Sequence, residues 1–314
     1  VFNSRCWQDT AAIATETIKR YFTLFIPIFL TFYFIYTFQP AKILLFWDIC
    51  KFFALFFAYF LFFLYFCTVK VQIMAIGNVT PDSFYAGSRL MDPDSRIHTD
   101  LILSWAEQAL LDGAEILDIG ACSTRPGSTP VPEEEEWRRL APALEVIREA
   151  FPDTALSIDT FRPSIAAQAL DRFGSMIIND ISGGNDEMYD LVSRYGVPYV
   201  FTFAGDYTRL SLLTTRDTAN WILDPGLGFC GGVEADYACL RQLDTLRPFH
   251  RQVLVGVSRK SMIYKPLGLT PDTRLVATQA LQLYALEHGA AILRTHDVRD
   301  TKYIVTLWNN IRNS

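Results

Sequence analysis

Between Asn78 and Arg294 the chain repeatedly sets a carboxylate, an amide or a cation just after a short apolar run. The residues are Asn78, Asp118, Asp159, Asn179 with Asp180, Thr202, Asp224, Ser258 through Lys260, and Arg294 with His296. One Asn or Asp in such a place is ordinarily a turn former or a helix cap. A charged or amide group at the end of seven of eight strands exceeds what capping alone explains. Acids, amides and three cations at one rim suit a polar heteroaromatic substrate with an anionic leaving group. Asn78 could offer a neutral, hard oxygen to Mg²⁺ and leave the other positions to water and phosphate. Arg294 and His296, two apart on extended chain, point to one side and could bind an anion with two prongs. Ser123–Gly127 could form a mobile loop that delivers the Arg125 guanidinium. His98, His250 and His288 read as satisfied core residues rather than ligands.

The elements that position these groups alternate. Apolar runs Val71–Ile76, Ala114–Ile119, Thr154–Ile158, Ser175–Ile178, Val197–Phe203, Trp221–Leu223, Gln252–Val257 and Ala290–Leu293 read as strands buried on both faces. Helices are predicted between them. Ile97–Leu111 places Ile97, Leu101, Trp105 and Ala109 at four-residue spacing, Glu133–Ala150 opens with four acids, and Pro271–His288 follows a Thr-Pro-Asp-Thr cap. Eight strands in the 244 residues after residue 70 predict a (β/α)₈ barrel, with the site at the C-terminal ends of the strands. A doubly wound sheet is the runner-up, but no GxGxxG turn is present. Only Ala204–Asn220 joins the fifth and sixth runs, which predicts a shortened fifth βα unit and an exposed apolar patch beside it.

Composition divides the chain near Lys70. Residues 1–70 carry 16 of the 24 Phe but only 3 of the 34 acidic residues, while residues 71–314 carry 31 acidic and 22 basic side chains, a net of −9. That balance argues against nucleic-acid binding through a broad basic surface. Six cysteines without a CxxC pair exclude a disulfide scaffold and a zinc-finger spacing. The two uncharged 18-residue runs Tyr21–Phe38 and Phe52–Val69 are each just long enough to span a bilayer. Lys19, Arg20 and Lys70 would then keep both ends cytoplasmic. The alternative is that this Phe-rich extension, of the kind AT-rich codons encode, is spurious upstream translation and the domain after it is cytoplasmic.

The ordered set NVTPDSF (Asn78–Phe84), GAEILDIG (Gly113–Gly120), STRPG (Ser123–Gly127), SIDT (Ser157–Thr160), INDISGG (Ile178–Gly184), ILDPGLGF (Ile222–Phe229), GVSRKS (Gly256–Ser261) and RTHDV (Arg294–Val298) resembles dihydropteroate synthase, a pterin-binding enzyme family. The resemblance covers residues 73–312. It implies transfer of a pterinylmethyl group from 6-hydroxymethyl-7,8-dihydropterin diphosphate to 4-aminobenzoate, giving dihydropteroate in folate biosynthesis, with sulfonamides as competitors. It further implies that Asp159, Asn179, Asp224 and Lys260 hold the pterin, with Asp159, Asp224 and Lys260 catalytic. Asn78, Arg294 and His296 would hold the diphosphate, Asn78 through Mg²⁺; Thr124, Arg125, Pro126, Phe229 and Ser261 would form the aminobenzoate pocket. A homodimer is implied as well. Phe201-Thr202-Phe203 stands where the family commonly has Met-His-Met. With the short fifth unit, that departure keeps open a pterin-binding homologue without synthase activity, and, behind it, a pterin-dependent methyl-transfer barrel.

Overall fold

The computed structural model describes residues 70–80, 98–122, 131–216, 218–268 and 274–313. The Phe-rich extension, the cap at Thr270–Thr273 and the loop residues Thr124, Arg125 and Pro126 lie outside them. Eight parallel strands form one sheet: β1 Gln72–Asn78, β2 Ile116–Gly120, β3 Ala155–Asp159, β4 Ile177–Asp180, β5 Tyr199–Thr202, β6 Trp221–Asp224, β7 Leu254–Val255 and β8 Ile292–Thr295. Their order is β6-β5-β4-β3-β2-β1-β8-β7, and a parallel bridge between Leu223 and Val253 brings the two ends together. This is the expected TIM barrel. Among the described residues no helix is long and apolar enough to cross a membrane.

Side-chain alternation divides each strand between two environments. Met74, Ile116, Ala155, Ile177, Val200, Ile222, Leu254 and Ile292, one per strand, pack together as an apolar floor inside the barrel. The residues between them, such as Ile73, Leu117, Ile158, Ile178 and Phe201, join the larger core under the helices. Two residues beyond the floor, on the inner side, come Asp118, Asn179, Thr202, Asp224, Gly256 and Arg294. The same parity turns Asp180 outward, where its carboxylate accepts from the Tyr199 hydroxyl at 3.0 Å and the Ser182 hydroxyl at 2.6 Å.

The outer wall consists of α1 Thr99–Leu111, α2 Glu133–Ala150, α3 Pro163–Phe173, α4 Asp186–Tyr195, α5 Leu212–Thr215, α6 Val233–Arg241, α7 Ser261–Leu267, α8 Leu275–Glu287 and α9 Val298–Asn313. In α1 the buried face is Ile102, Ala106 and Ala109, while Leu101 is 50% exposed. Strict four-residue spacing drifts off a 3.6-residue turn, so Leu101 leaves the stripe to which it had been assigned. The α4 helix is bounded by Asn185, whose side chain accepts from Met188 N, and by Gly196 at φ +63°.

The fifth unit is short, as expected: a 3₁₀ turn at Tyr207–Ser211 and the single turn of α5 stand in place of a full helix. Among the described residues the exposed apolar patch expected beside it is absent. Trp221 stacks within 5.0–5.1 Å of the Tyr189, Tyr199 and Phe201 rings. The Arg209 guanidinium lies 5.2 Å from the Phe201 ring and Arg216 lies 5.0 Å from Tyr189. Arg216 also reaches Asp186 and Asp190, so aromatic faces that a helix would cover are capped by solvated cations instead. Among the described residues the exposed large apolar side chains lie elsewhere, including Val276 and Leu283 on α8 and Tyr303, Leu307 and Ile311 on α9.

Candidate active site

The barrel interior closes over Asp118. Its Oδ2 accepts from Asn179 Nδ2 at 3.1 Å and from Arg294 Nε at 2.7 Å. Arg294 also donates through Nη2 to Asp159 Oδ2 at 2.6 Å. Arg294 on β8 thus reaches past β1 to β2 and β3, which only a side chain crossing the lumen can do. Burial opposes its charge, but Asp118 and Asp159 together hold the guanidinium above its ordinary pKa. Oδ1 of Asp118 and Oδ1 of Asp159 are buried without a hydrogen-bond partner among the described residues. Two unsatisfied carboxylate oxygens in one lumen are costly unless a ligand supplies N–H donors. Burial, with the Asp118 and Asp180 charges adding to it against Arg294, pushes the Asp159 carboxyl up to about 7.

Asp224 and Lys260 form the second pole. Burial raises the Asp224 carboxyl and lowers the Lys260 ammonium, and their mutual attraction works against both shifts. Asp224 accepts from Gly226 N at 2.8 Å, while Lys260 donates to the Leu227 carbonyl and lies 5.3 Å from the Phe229 ring centroid. Gly228 (φ +90°) leaves room for Lys260, because a β-carbon there would stand 2.9 Å from Lys260 Cδ. At Gly256, by contrast, an added β-carbon would stand 3.6 Å from Arg294 Cβ, an ordinary van der Waals contact.

Asp159, Asn179, Arg294, Asp224 and Lys260, expected from sequence, are therefore brought into one electrostatic network, with Asp118 as its unassigned centre. Asn78 ends β1 in register with Gly120, which pairs in turn with Asp159. His296 Nδ1 lies 3.1 Å from Ser258 Oγ, one loop from the network. Ser261 opens α7 directly after Lys260. Of the Phe201-Thr202-Phe203 run, both rings join the outer core and Thr202 takes the inward place. Burial raises the thiols of Cys122 and Cys230, and Cys230 donates to the Pro225 and Gly226 carbonyls, so neither is poised as a nucleophile.

Behind β3 lies a second feature not foreseen. Of the four acids that open α2, Glu136 is wholly buried rather than a solvated charge at the helix N-terminus. It accepts from Thr160 Oγ1 at 2.6 Å and pairs with Arg162, whose Nη2 donates to the Val131 carbonyl. None of the three histidines read as core residues is buried: His250 is exposed, and His98 and His288 are half-buried, with His288 Nδ1 2.5 Å from Asp244 Oδ2.

Comparison with known proteins points to one family. A family model described as pterin binding enzyme matches residues 74–220 and 215–296. A dihydropteroate synthase of Streptococcus pyogenes serotype M3 is 33% identical over 263 residues, covering 77% of this chain and 96% of that protein. The folic acid synthesis protein fol1 of Pneumocystis carinii is 34% identical over 276 residues, covering 76% of this chain but only 36% of that longer protein. The crystal structure of Yersinia pestis dihydropteroate synthase with a sulfonamide drug superposes with a TM-score of 0.71 at 28% identity, covering 78% of this chain and 95% of that one. That of Xanthomonas albilineans dihydropteroate synthase with 4-aminobenzoic acid gives 0.70 at 30% identity, covering 78% and 94%.

Proposed function

The chain belongs to the pterin binding enzyme family and, within it, to the dihydropteroate synthases, and from that premise we propose that it joins 6-hydroxymethyl-7,8-dihydropterin diphosphate to 4-aminobenzoate. The C–O bond from the pterin methylene to diphosphate breaks. The arylamine nitrogen then forms a bond to that carbon and loses a proton. The observation carrying this reading is the pair of unpartnered buried oxygens on Asp118 and Asp159 beside Asn179. A pterin presents the ring N–H and amino donors that such oxygens lack.

In this reading Asp159, Asn179, Asp224 and Lys260 hold the heterocycle, and the Asp159 and Asp224 carboxylates oppose the positive charge that develops as diphosphate leaves. Arg294 and His296 take the diphosphate. Arg294 keeps its Asp118 anchor while Asp159 turns to the pterin. A single amide oxygen at Asn78, with no cluster of three or more His, Cys, Asp or Glu ligands among the described residues, suits a magnesium ion that takes its other ligands from water and diphosphate. Such an ion, when bound, neutralises charge on the leaving group. Phe229 and Ser261, with Thr124, Arg125 and Pro126, are assigned to aminobenzoate. The exposed apolar side chains of α8 and α9 suit pairing with a second copy of the chain.

The test is a coupled assay for diphosphate release by the full chain with both substrates. Turnover that needs 4-aminobenzoate and falls with a sulfonamide is expected. Calorimetric pterin binding without turnover would instead establish the non-catalytic homologue.

A further inference from the structure

Arg259 of GVSRKS and Asp297 of RTHDV are oppositely charged motif residues that this reading leaves unused. They face each other: Arg259 Nη2 lies 2.5 Å from Asp297 Oδ1 and Nε lies 3.3 Å from Oδ2. Both side chains are largely shielded, at 16% and 17% exposure.

Their place in the fold gives the pair meaning. The β7 strand is only two residues long, and its register against β8 is Leu254↔Ile292 and Val255↔Leu293. Carried forward, that register sets Ser258 opposite His296 and Arg259 opposite Asp297. Those are the pairs whose side chains meet: Ser258 Oγ contacts His296 Nδ1 at 3.1 Å and accepts from His296 N at 3.3 Å. Backbone pairing stops early, and two side-chain rungs resume it at the mouth.

The backbone at Arg259 is strained. Its φ is +60°, a left-handed conformation that a non-glycine residue holds only when its surroundings enforce it. Arg274 Nη1 donates to the Arg259 carbonyl at 2.6 Å, so the residue is gripped at both its carbonyl and its guanidinium. The next residue is Lys260, which caps α7 and sends its ammonium into the lumen beside Asp224.

We propose that Arg259 is a positioning residue: paired with Asp297 across the β7–β8 seam, it fixes the turn that aims Lys260 at the pterin and holds the His296 loop against it. The proposal rests on the synthase reading. It assigns Arg259 no contact with substrate.

The test uses three variants of the full chain. Arg259→Gly relieves the positive φ and removes the ion pair; Asp297→Asn removes the partner charge; the third carries both changes. Steady-state kinetics with each substrate varied are compared with thermal melting. Each single variant is expected to raise KM for the pterin diphosphate at least tenfold and leave KM for 4-aminobenzoate within threefold. The double variant should be no worse than the poorer single one, because both changes disable one device. A merely structural role would lower the melting temperature and the amount of active enzyme with both KM values unchanged, and that result overturns the proposal. Additive losses in the double variant overturn it too. Should Asp297→Asn not fold, Arg259→Gly, which relieves backbone strain, still carries the KM comparison. An inactive wild type refutes the synthase reading and this role with it; an active wild type with unaltered variants refutes this role alone.

Discussion

At the scale of single residues, the candidate site leaves buried acceptors unsatisfied among the described residues. Asp159 is the plainest case, with one oxygen on Arg294 and the other without a partner. Its carboxyl is pushed up to about 7 by burial, then by Asp118, Asp180 and Glu136, with Arg294 pulling the other way. Only the ionised form accepts two N–H donors, and ionisation becomes complete as pH rises through that value. The kcat/KM for pterin diphosphate should therefore climb with pH across about pH 7 and level off above it, as a pH–rate profile will show. Asp118→Asn removes a like charge and should move that limb to lower pH. Asp159→Asn should cost ~10²-fold or more in kcat/KM, on the scale of other lost electrostatic groups. Near-normal kinetics would remove Asp159 from its role.

Among elements, most strands run one or two residues beyond their apolar runs. The run ending at Ile76 continues to Asn78, that at Ile158 to Asp159, that at Ile178 to Asp180 and that at Leu293 to Thr295. A hydrophobicity reading stops where side chains turn polar, and those polar side chains either face the lumen or, like Asp180, brace the outer layer. The barrel, its repeat and most members of the buried polar network were thus legible, because the signal is local and alternates with period two. The partnerships were not. Arg294 meets Asp118 across 176 positions and Arg162 meets Glu136 across 26, and nothing near either residue announces the other. The aromatic stack replacing the fifth helix escaped for the same reason. Trp221→Ala should cost ~3–5 kcal/mol in urea unfolding, as for other buried aromatics, and Arg216→Ala only ~1 kcal/mol. Gly228→Ala should act differently, by forcing a β-carbon against Lys260 and weakening pterin binding more than it lowers the melting temperature.

Among the described residues taken together, a buried polar network fills the lumen and five of the exposed large apolar side chains share two neighbouring helices. Acids and cations gather in the lumen, whereas the exposed Val276, Leu283, Tyr303, Leu307 and Ile311 lie on α8 and α9. If that surface pairs copies of the chain, Leu283→Asp should shift sedimentation toward the monomer, while a mass unchanged by the substitution would argue that the surface does not associate. The two-storey interior has a wider consequence. Its lower ring of eight apolar side chains, one from every strand, packs the strands together, while the polar groups above it keep unsatisfied buried oxygens at a cost in stability. Ligand preference can then drift, by selection or in the laboratory, through exchanges in the upper ring while the architecture beneath is inherited unaltered.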